Sequence, residues 1–311
     1  LGIAASLRNA RWGAGNRHLI ESLLALPDRP ALEAFLTQES ELHLENFLNA
    51  GRRDSKPFLE IYRNLSKSNG EVGLSNSEVA LAAALWSAAR EGVSVAHLSL
   101  AEYFTAGGDL RNSEGLRQQL LAADGVLLSG PVYFGDRGSL AESLVDYIAR
   151  DEGLRSALAG RLYGGIAIGA KRNGGQETTL IYQMIDMLGL GMLAVGNDSD
   201  TTAQYGGTGH AGDVGTMHKD KYGLDTSMGV GRRMAKVMLN FSGHHRLADA
   251  PRALFLILQD ADGLALRETE ALVARLGPRV QATIVDIATR RIKRCIACDI
   301  CPTHIDLDDV Y

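Results

Sequence analysis

The chain has 311 residues, of which 45% are hydrophobic and 22% are charged, and its formal net charge is −5. This composition is typical of a globular protein with an ample core, and the length allows two domains or one large domain with insertions. The negative charge gives no reason to expect nucleic acid or an anionic membrane surface as a partner. No signal peptide and no apolar run of roughly 20 residues is visible, so we expect a cytoplasmic protein without membrane partners.

Short apolar runs alternate with helical patterns along the first 243 residues. The runs have the length and composition of buried strands, and they lie at residues 1–5, 93–98, 126–128, 161–170 and 191–196. Helical periodicity lies between and after them, at residues 75–92, 108–123, 139–148 and 224–241, and in a segment ending at Leu188. Five strands alternating with helices predict a parallel, doubly wound α/β sheet with right-handed crossovers.

Residues 123–151 contain the pattern that points most clearly to a ligand. A short apolar strand is followed by the loop Ser129-Gly130-Pro131-Val132-Tyr133-Phe134-Gly135, and an amphipathic helix begins near Ser139. In an open α/β sheet, ligands bind at the carboxyl ends of the strands. The loop is therefore predicted to form one wall of a binding site.

A phosphate site is predicted after the first strand, where Ser6 and Arg8 supply a hydroxyl and a guanidinium. Such a site also needs the free backbone amides of a helix N-terminus. One candidate helix starts at Asn16, and the other starts at residues 75–78. We favour the second, because Ser75 is a good cap, Gly92 ends the helix and a strand follows at once.

If that choice is right, residues 9–74 form a long insertion. Helical segments are predicted near residues 31–35, 42–48 and 58–65, separated by proline and by Gly51. A loop of this length with its own elements is usually a lid, an oligomer contact or a binding feature, although a decorative subdomain is an equally good interpretation.

The pattern restarts after residue 243. Residues 253–258 and 280–287 are predicted strands on either side of a helix at 265–276, which together give a β-α-β extension covering residues 252–311. We therefore divide the chain into a domain of residues 1–243 and this extension.

The three cysteines of the chain are Cys295, Cys298 and Cys301, so they recur at every third residue. Thiolates at this spacing can hold one iron–sulfur cluster, with His304, Asp306 or a later residue as the fourth ligand. Zinc bound by the three cysteines and His304, or no metal at all, are the alternatives.

Two histidines, His210 and His218, lie in a glycine-rich polar segment at residues 197–223. Their spacing fits no strong metal-binding pattern, so we interpret them as solvated loop residues. The segment is predicted to be a loop that shapes the substrate pocket.

Taken together, the loops at residues 6–8, 75–78, 129–135 and 174–178 resemble those of the flavodoxin-like NAD(P)H-dependent FMN reductase family. The resemblance covers residues 1–8 and 75–243. It implies a flavodoxin-like fold, FMN at the carboxyl edge of the sheet, and a homodimer or homotetramer. The implied FMN ligands are Ser6, Arg8, Asn76, Ser77, Pro131, Val132, Tyr133, Phe134, Gly135, Gly174, Gly175 and Gln176.

The cysteine motif is similar to that of the iron–sulfur flavoproteins, which implies a 4Fe–4S cluster. In those proteins the motif follows the second strand of the flavin domain, whereas here residues 98–108 contain no cysteine. The tail therefore resembles the first half of a second copy of the domain, without its phosphate loop.

The resemblance implies an FMN-dependent oxidoreductase that passes reducing equivalents from NAD(P)H through FMN to a small electrophilic acceptor such as a quinone or nitroaromatic. No side chain is singled out as a catalytic acid or base, which suits chemistry that the flavin carries. The alternatives are a non-enzymatic flavin and iron–sulfur electron carrier, and a flavin-free scaffold of the same fold.

Overall fold

The structure is a computed structural model that describes residues 1–9, 11–65, 67, 73–198, 200, 204–242 and 252–290. Its internal contacts divide the chain into two units, Leu1–Gly243 and His244–Tyr311. Within the described residues, no helix is both long enough and apolar enough to cross a membrane.

The larger unit combines one sheet with ten α-helices in its described residues. Its strands are β1 (Gly2–Ala4), β2 (His97–Ser99), β3 (Gly125–Tyr133), β4 (Asp136–Arg137), β5 (Leu162–Gly169), β6 (Leu193–Ala194) and β7 (Gly207–His210). Its helices are α1 (Ala14–Ala25), α2 (Arg29–Phe47), α3 (Phe58–Leu65), α4 (Asn76–Arg90), α5 (Leu100–Tyr103), α6 (Ser113–Leu121), α7 (Ser139–Arg150), α8 (Glu152–Leu158), α9 (Gln176–Gly189) and α10 (Lys221–Ser242).

The main strands follow the order β2-β1-β3-β5-β6, and all of them are parallel. The predicted α/β class with a doubly wound parallel sheet is therefore confirmed. The sheet nevertheless has seven strands where we predicted five. The short β4 adds an antiparallel turn to the end of β3, and the fifth position is shared by β6 and β7, which pair with successive parts of β5.

Helices cover both faces of the sheet. One hydrophobic cluster includes Leu127 of β3 together with side chains of α1, α2, α4 and α10. The other includes the flanking residues Val126 and Leu128 with side chains of α6, α7, α8 and α9. Successive residues of a strand point to opposite faces, so the unbroken apolar run of β3 is buried on both sides.

The insertion at residues 9–74 is helical, as predicted, but its division into segments differs. Residues 31–35 and 42–48 belong mainly to the single helix α2. Pro30 does not break this helix because it lies in the first turn, where no backbone N–H is needed, and Asp28 caps the start by accepting a hydrogen bond from the N–H of Ala31 at 2.9 Å. The regular helix ends at Phe47. Gly51, which has a φ of 129°, belongs to the π-helical segment Leu48–Arg52 that follows.

Two strand predictions need correction. The segment predicted as a polar loop at residues 197–223 contains β7, whose Gly207–His210 backbone pairs with Ile166–Gly169. The second strand, predicted at residues 93–98, covers only His97–Ser99, since its partner β1 is itself three residues long. In both cases the extent of a strand is set by the neighbouring strand with which it pairs, and the local sequence pattern does not encode that pairing.

The smaller unit contains β8 (Arg252–Ile257), α11 (Leu264–Leu276) and β9 (Gln281–Asp286). The two strands pair in parallel over six residue pairs, from Arg252 opposite Gln281 to Ile257 opposite Asp286. The β-α-β order agrees with the prediction for this part of the chain.

Candidate functional site

A cleft of about 150 Å³ opens at the carboxyl ends of β1, β3 and β5. Seven of the residues predicted to bind a ligand line it: Ser6, Arg8, Asn76, Ser77, Pro131, Val132 and Tyr133. Ser75 and His43 line it as well. Segments far apart in the sequence thus meet at one edge of the sheet, which is the position expected for a ligand in this class of fold.

The N-terminus of α4 forms one side of the cleft. Ser75 caps the helix, with its hydroxyl accepting from the N–H of Glu78 at 3.4 Å, and the Glu78 carboxylate accepts from the N–H of Ser75 at 2.9 Å. The Ser75 hydroxyl also donates to Asn9 at 2.6 Å, and the Asn9 amide donates to the carbonyl of Ala4 at the end of β1. The first turn of α4 is therefore fixed beside β1, with the N–H groups of its first residues free of intrahelical partners and suited to an anion.

The side chain of Asn76 is engaged elsewhere. Its amide nitrogen donates to the carbonyl of Asp213 at 2.8 Å, and its oxygen accepts from the N–H groups of Thr216 and Met217 at 3.1 and 3.2 Å. We predicted that this amide would donate to phosphate, whereas in the structure it fixes the 213–217 loop to α4. Only the backbone N–H of Asn76 remains suited to an anion.

Arg8 supplies positive charge to the cleft. Its guanidinium carbon lies 5.5 Å from the centroid of the Phe47 ring, a cation–π contact with α2. The backbone N–H of Arg8 donates to the hydroxyl oxygen of Ser6 at 3.2 Å. The turn after β1 therefore brings Ser6 and Arg8 to the cleft that Asn76 and Ser77 of α4 also line.

The opposite wall comes from the end of β3 and the turn after it. Tyr133 is 51% exposed, and Phe134 is fully exposed with a φ of 53°. A positive φ is unusual for an aromatic residue, and residues held in this way cluster at functional sites. Gly175 reaches the same turn, because a Cβ added to it would lie 2.6 Å from the Cα of Gly135.

Gln176 supports the loop that contains Gly174 and Gly175. Its side chain is buried, and its amide nitrogen donates to the carbonyls of Lys171 and Gly209 at 2.7 and 3.0 Å. Its oxygen accepts from the N–H of Gly174 at 2.8 Å. We predicted Gln176 as a cofactor ligand, but these bonds occupy its side chain in fastening the loop to β7, and it lines a neighbouring cleft with Arg172.

Burial shifts the pKa of Glu78, in the first turn of α4 behind the cleft, and of Tyr133, which lines it. Burial raises the pKa of Glu78 to about 7, so this carboxyl is partly protonated at neutral pH and opposes an incoming anion less than a full charge would. Burial also raises the pKa of Tyr133, so its hydroxyl remains a hydrogen-bond donor at neutral pH.

Sequence reasoning missed His43, which reaches the cleft from the inserted helix α2. The side chain is fully buried, and neither ring nitrogen has a hydrogen-bond partner among the described residues. Burial first, and the charge of Arg8 second, lower the pKa of His43 to about 4, so the ring is neutral at physiological pH. In the sequence, Glu39, His43 and Phe47 are four residues apart, which puts them on one face of a helix and could have pointed to His43.

Asn16, the competing start of the phosphate helix, lies outside the cleft. Its oxygen is 2.8 Å from Nδ1 of His97, and its amide donates to Glu102 at 3.3 Å. Both helices form, and of the two it is α4 whose N-terminal residues line the cleft with Ser6 and Arg8. That α4 supplies the phosphate amides stays a prediction.

The predicted metal ligands Cys295, Cys298 and Cys301 lie outside the described residues. In the part of the chain that the structure describes, no group of three His, Cys, Asp or Glu residues could hold a metal ion. His210 belongs to β7, and its backbone N–H donates to Asp220 at 2.7 Å.

The sheet order and the position of the cleft define a flavodoxin-like α/β protein. The model of the NADPH-dependent FMN reductase family matches residues 68–204. An iron–sulfur flavoprotein of Methanocaldococcus jannaschii is 33% identical over an alignment of 178 residues, and the match covers 52% of this chain and 90% of that protein. The chain therefore belongs to the NADPH-dependent FMN reductase family.

Two further relatives match shorter parts of the chain. An iron–sulfur flavoprotein of Methanosarcina thermophila is 27% identical over 124 residues, which are 39% of this chain and 59% of that protein. An NAD(P)H dehydrogenase (quinone) of Caulobacter vibrioides is 28% identical over an alignment of 137 residues, and the match covers 40% of this chain and 68% of that protein. A WrbA-like flavodoxin from Agrobacterium tumefaciens superposes with a TM-score of 0.38 at 22% identity, covering 50% of this chain and 88% of that structure.

Family membership confirms the predicted class of enzyme. The chain is an NAD(P)H-dependent FMN oxidoreductase, and FMN and NAD(P)H are its cofactor and co-substrate.

Proposed function

We propose that the chain holds FMN in the cleft at the carboxyl edge of the sheet and passes reducing equivalents from NAD(P)H to a small electrophilic acceptor of the quinone type. The observation that carries this proposal is the convergence of Arg8, the N-terminus of α4 and the turn at Pro131–Tyr133 on one cleft. The name of the Caulobacter relative supports a quinone as the acceptor.

The cleft fits one end of FMN. Its volume of about 150 Å³ is smaller than the roughly 300–1,000 Å³ of pockets that enclose a whole ligand. Arg8, the Ser6 hydroxyl and the amides of α4 offer the donors that a phosphate requires. We therefore assign the enclosed part to the phosphate end, and the open rim beside Tyr133 and Phe134 to the ring.

The roles of the other residues follow from this orientation. Bound FMN supplies the redox chemistry, and the protein binds and orients it. Gly175 permits the close approach of its loop to Gly135, and Gln176 holds that loop in place. Phe134 is exposed at the rim and offers an aromatic face on which a flat acceptor can stack.

Steady-state turnover tests the acceptor. With FMN-loaded protein and NADPH or NADH, we expect a benzoquinone or nitroaromatic to be reduced at a rate proportional to the flavin content. The control is the same assay with free FMN at the same concentration. Reduction of FMN without onward transfer to any quinone or nitroaromatic would overturn this choice of acceptor.

A second candidate function is single-electron transfer through an iron–sulfur cluster. Two observations favour it: the spacing of Cys295, Cys298 and Cys301, and the names of two relatives as iron–sulfur flavoproteins. A 4Fe–4S cluster on these thiolates would need a fourth ligand, such as His304. In the sequence, the three cysteines follow the second predicted strand of the β-α-β extension.

Metal and sulfide analysis of anaerobically purified protein tests the cluster. We expect iron and acid-labile sulfide in equal amounts and a broad visible absorbance that is lost in Cys298→Ala. Stoichiometric zinc without sulfide would show that the thiolates hold zinc and not a cluster. A protein with neither iron nor zinc would show that the thiols bind no metal.

We also propose a cellular location and an oligomeric state for the protein. Free thiols at this spacing suit a reducing cytoplasm, and the resemblance implies a homodimer or homotetramer. Sedimentation of the purified protein would identify the assembly.

A further inference from the structure

The inserted helix α2 turns one face toward the phosphate end of the cleft. Glu39, His43 and Phe47 are four residues apart and therefore lie above one another on this face. Glu39 pairs with the buried Arg11, and Phe47 lies against the guanidinium of Arg8. His43 lies between these two contacts.

The segment that leads into α4 runs directly over His43. Gly73 has a φ of 86°, and a Cβ added to it would lie 2.9 Å from the backbone nitrogen and Cα of His43. The N–H of Gly73 donates to the Glu39 carboxylate at 2.7 Å, and the N–H of Leu74 donates to the Glu39 carbonyl at 3.0 Å. These contacts fix α2 relative to the start of α4, two residues before Asn76.

The ring of His43 is buried without a hydrogen bond to any residue that the structure describes. Both of its nitrogens lack such a bond, and the residue lines the cleft with Ser6, Arg8 and Ser77. Buried polar groups are nearly always hydrogen-bonded, and exceptions require a specific cause. A ligand that enters the cleft and accepts a hydrogen bond would provide that cause.

We propose that His43 is a ligand of the FMN phosphate, donating a ring N–H to a phosphate oxygen beside Arg8 and the first amides of α4. This inference rests on the proposed function, since it needs FMN in this cleft. It also gives the insertion a role, because the helix that interrupts the phosphate loop contributes a donor to it. A neutral imidazole has one N–H to donate, and burial keeps His43 in that form.

Flavin binding by variants at position 43 tests the proposal. Titration by flavin fluorescence quenching gives dissociation constants for FMN and for riboflavin, which lacks the phosphate. We expect His43→Leu to weaken FMN binding about tenfold while leaving riboflavin binding unchanged, and His43→Gln, which keeps a donor, to recover part of the loss. Equal losses for both flavins, or no loss for FMN, would overturn the proposal.

His97→Leu is the matched control. His97 is also buried, but it lies outside the cleft, with its Nδ1 2.8 Å from Asn16 and its Nε2 3.7 Å from Oε1 of Glu78. We expect this variant to leave the ratio of FMN to riboflavin affinity unchanged, even if its stability falls. A ratio that changes as much as in His43→Leu would show that the loss reflects general disturbance of the fold.

A measurement on the wild-type protein covers the case in which His43→Leu does not fold. The ring ¹⁵N resonances of His43 should shift on addition of FMN and not on addition of riboflavin, and no shift with FMN would contradict the proposal. If the wild-type protein binds neither flavin, the proposed function itself fails. If it binds FMN and only the His43 results are negative, that function stands without this ligand.

Discussion

Replacing Glu39 by alanine is expected to lower the free energy of unfolding by about 3–5 kcal/mol. The Glu39 carboxylate accepts from the buried guanidinium of Arg11 and, at 2.7 Å, from the N–H of Gly73. The side chains of Glu39 and Arg11 are 9% and 3% exposed, so the substitution leaves a buried charge without its partner. Urea-induced unfolding of the variant and the wild type measures the difference.

Glu33→Ala is the matched control on the same helix. Glu33 pairs with Arg29 at 2.8 Å, but its side chain is 38% exposed, and exposed pairs of this kind contribute about 0.2–1 kcal/mol. A loss in Glu39→Ala no larger than in Glu33→Ala would show that the buried pair does not anchor α2.

Replacing Arg8 by alanine is expected to weaken FMN binding by roughly tenfold to a hundredfold, because a hydrogen bond to a charged group contributes about 1.5–3 kcal/mol. The affinity for riboflavin should hardly change, since Arg8 faces the phosphate end of the cleft in our assignment. Fluorescence titration with both flavins measures the two effects in one experiment.

Arg17→Ala provides the control for the change in charge. Arg17 is exposed on α1, outside the cleft that contains Arg8. Its removal lowers the net charge equally and should leave both affinities unchanged. If Arg8→Ala retains wild-type FMN affinity, the phosphate lies elsewhere.

The sequence was sufficient to predict the parallel sheet and the wall of the cleft at Pro131–Tyr133. Both rest on local signals: apolar runs too short for a helix, followed by glycine and proline where the chain turns. Because the carboxyl ends of parallel strands lie at one edge, the proximity of Ser6 and Val132 follows from the fold class alone.

The roles of Asn76 and Gln176 could not be predicted in the same way. Both are polar residues in loops at the expected edge, and the sequence does not show whether such a side chain faces the ligand or a neighbouring loop. Their amides bond to the 213–217 loop and to Gly209 of β7, two partners whose positions depend on pairing across the sheet. Long-range contacts of this kind leave no local pattern.

His43 illustrates a different limit. Its segment was correctly predicted to be helical, but the face that α2 turns toward the cleft depends on the Glu39 contacts to Arg11 and Gly73. Those contacts join residues on both sides of α2 in the chain. The insertion could therefore be recognised from the sequence, while its contribution to the cleft required the structure.

Anaerobic reduction of the FMN-loaded protein by NADPH or NADH tests whether this chain is a flavin enzyme. We predict that the purified protein binds FMN and that the absorbance of the oxidised flavin is bleached when either nucleotide is added without oxygen. A protein that does not retain FMN, or whose bound flavin keeps its oxidised spectrum with both nucleotides, would contradict it.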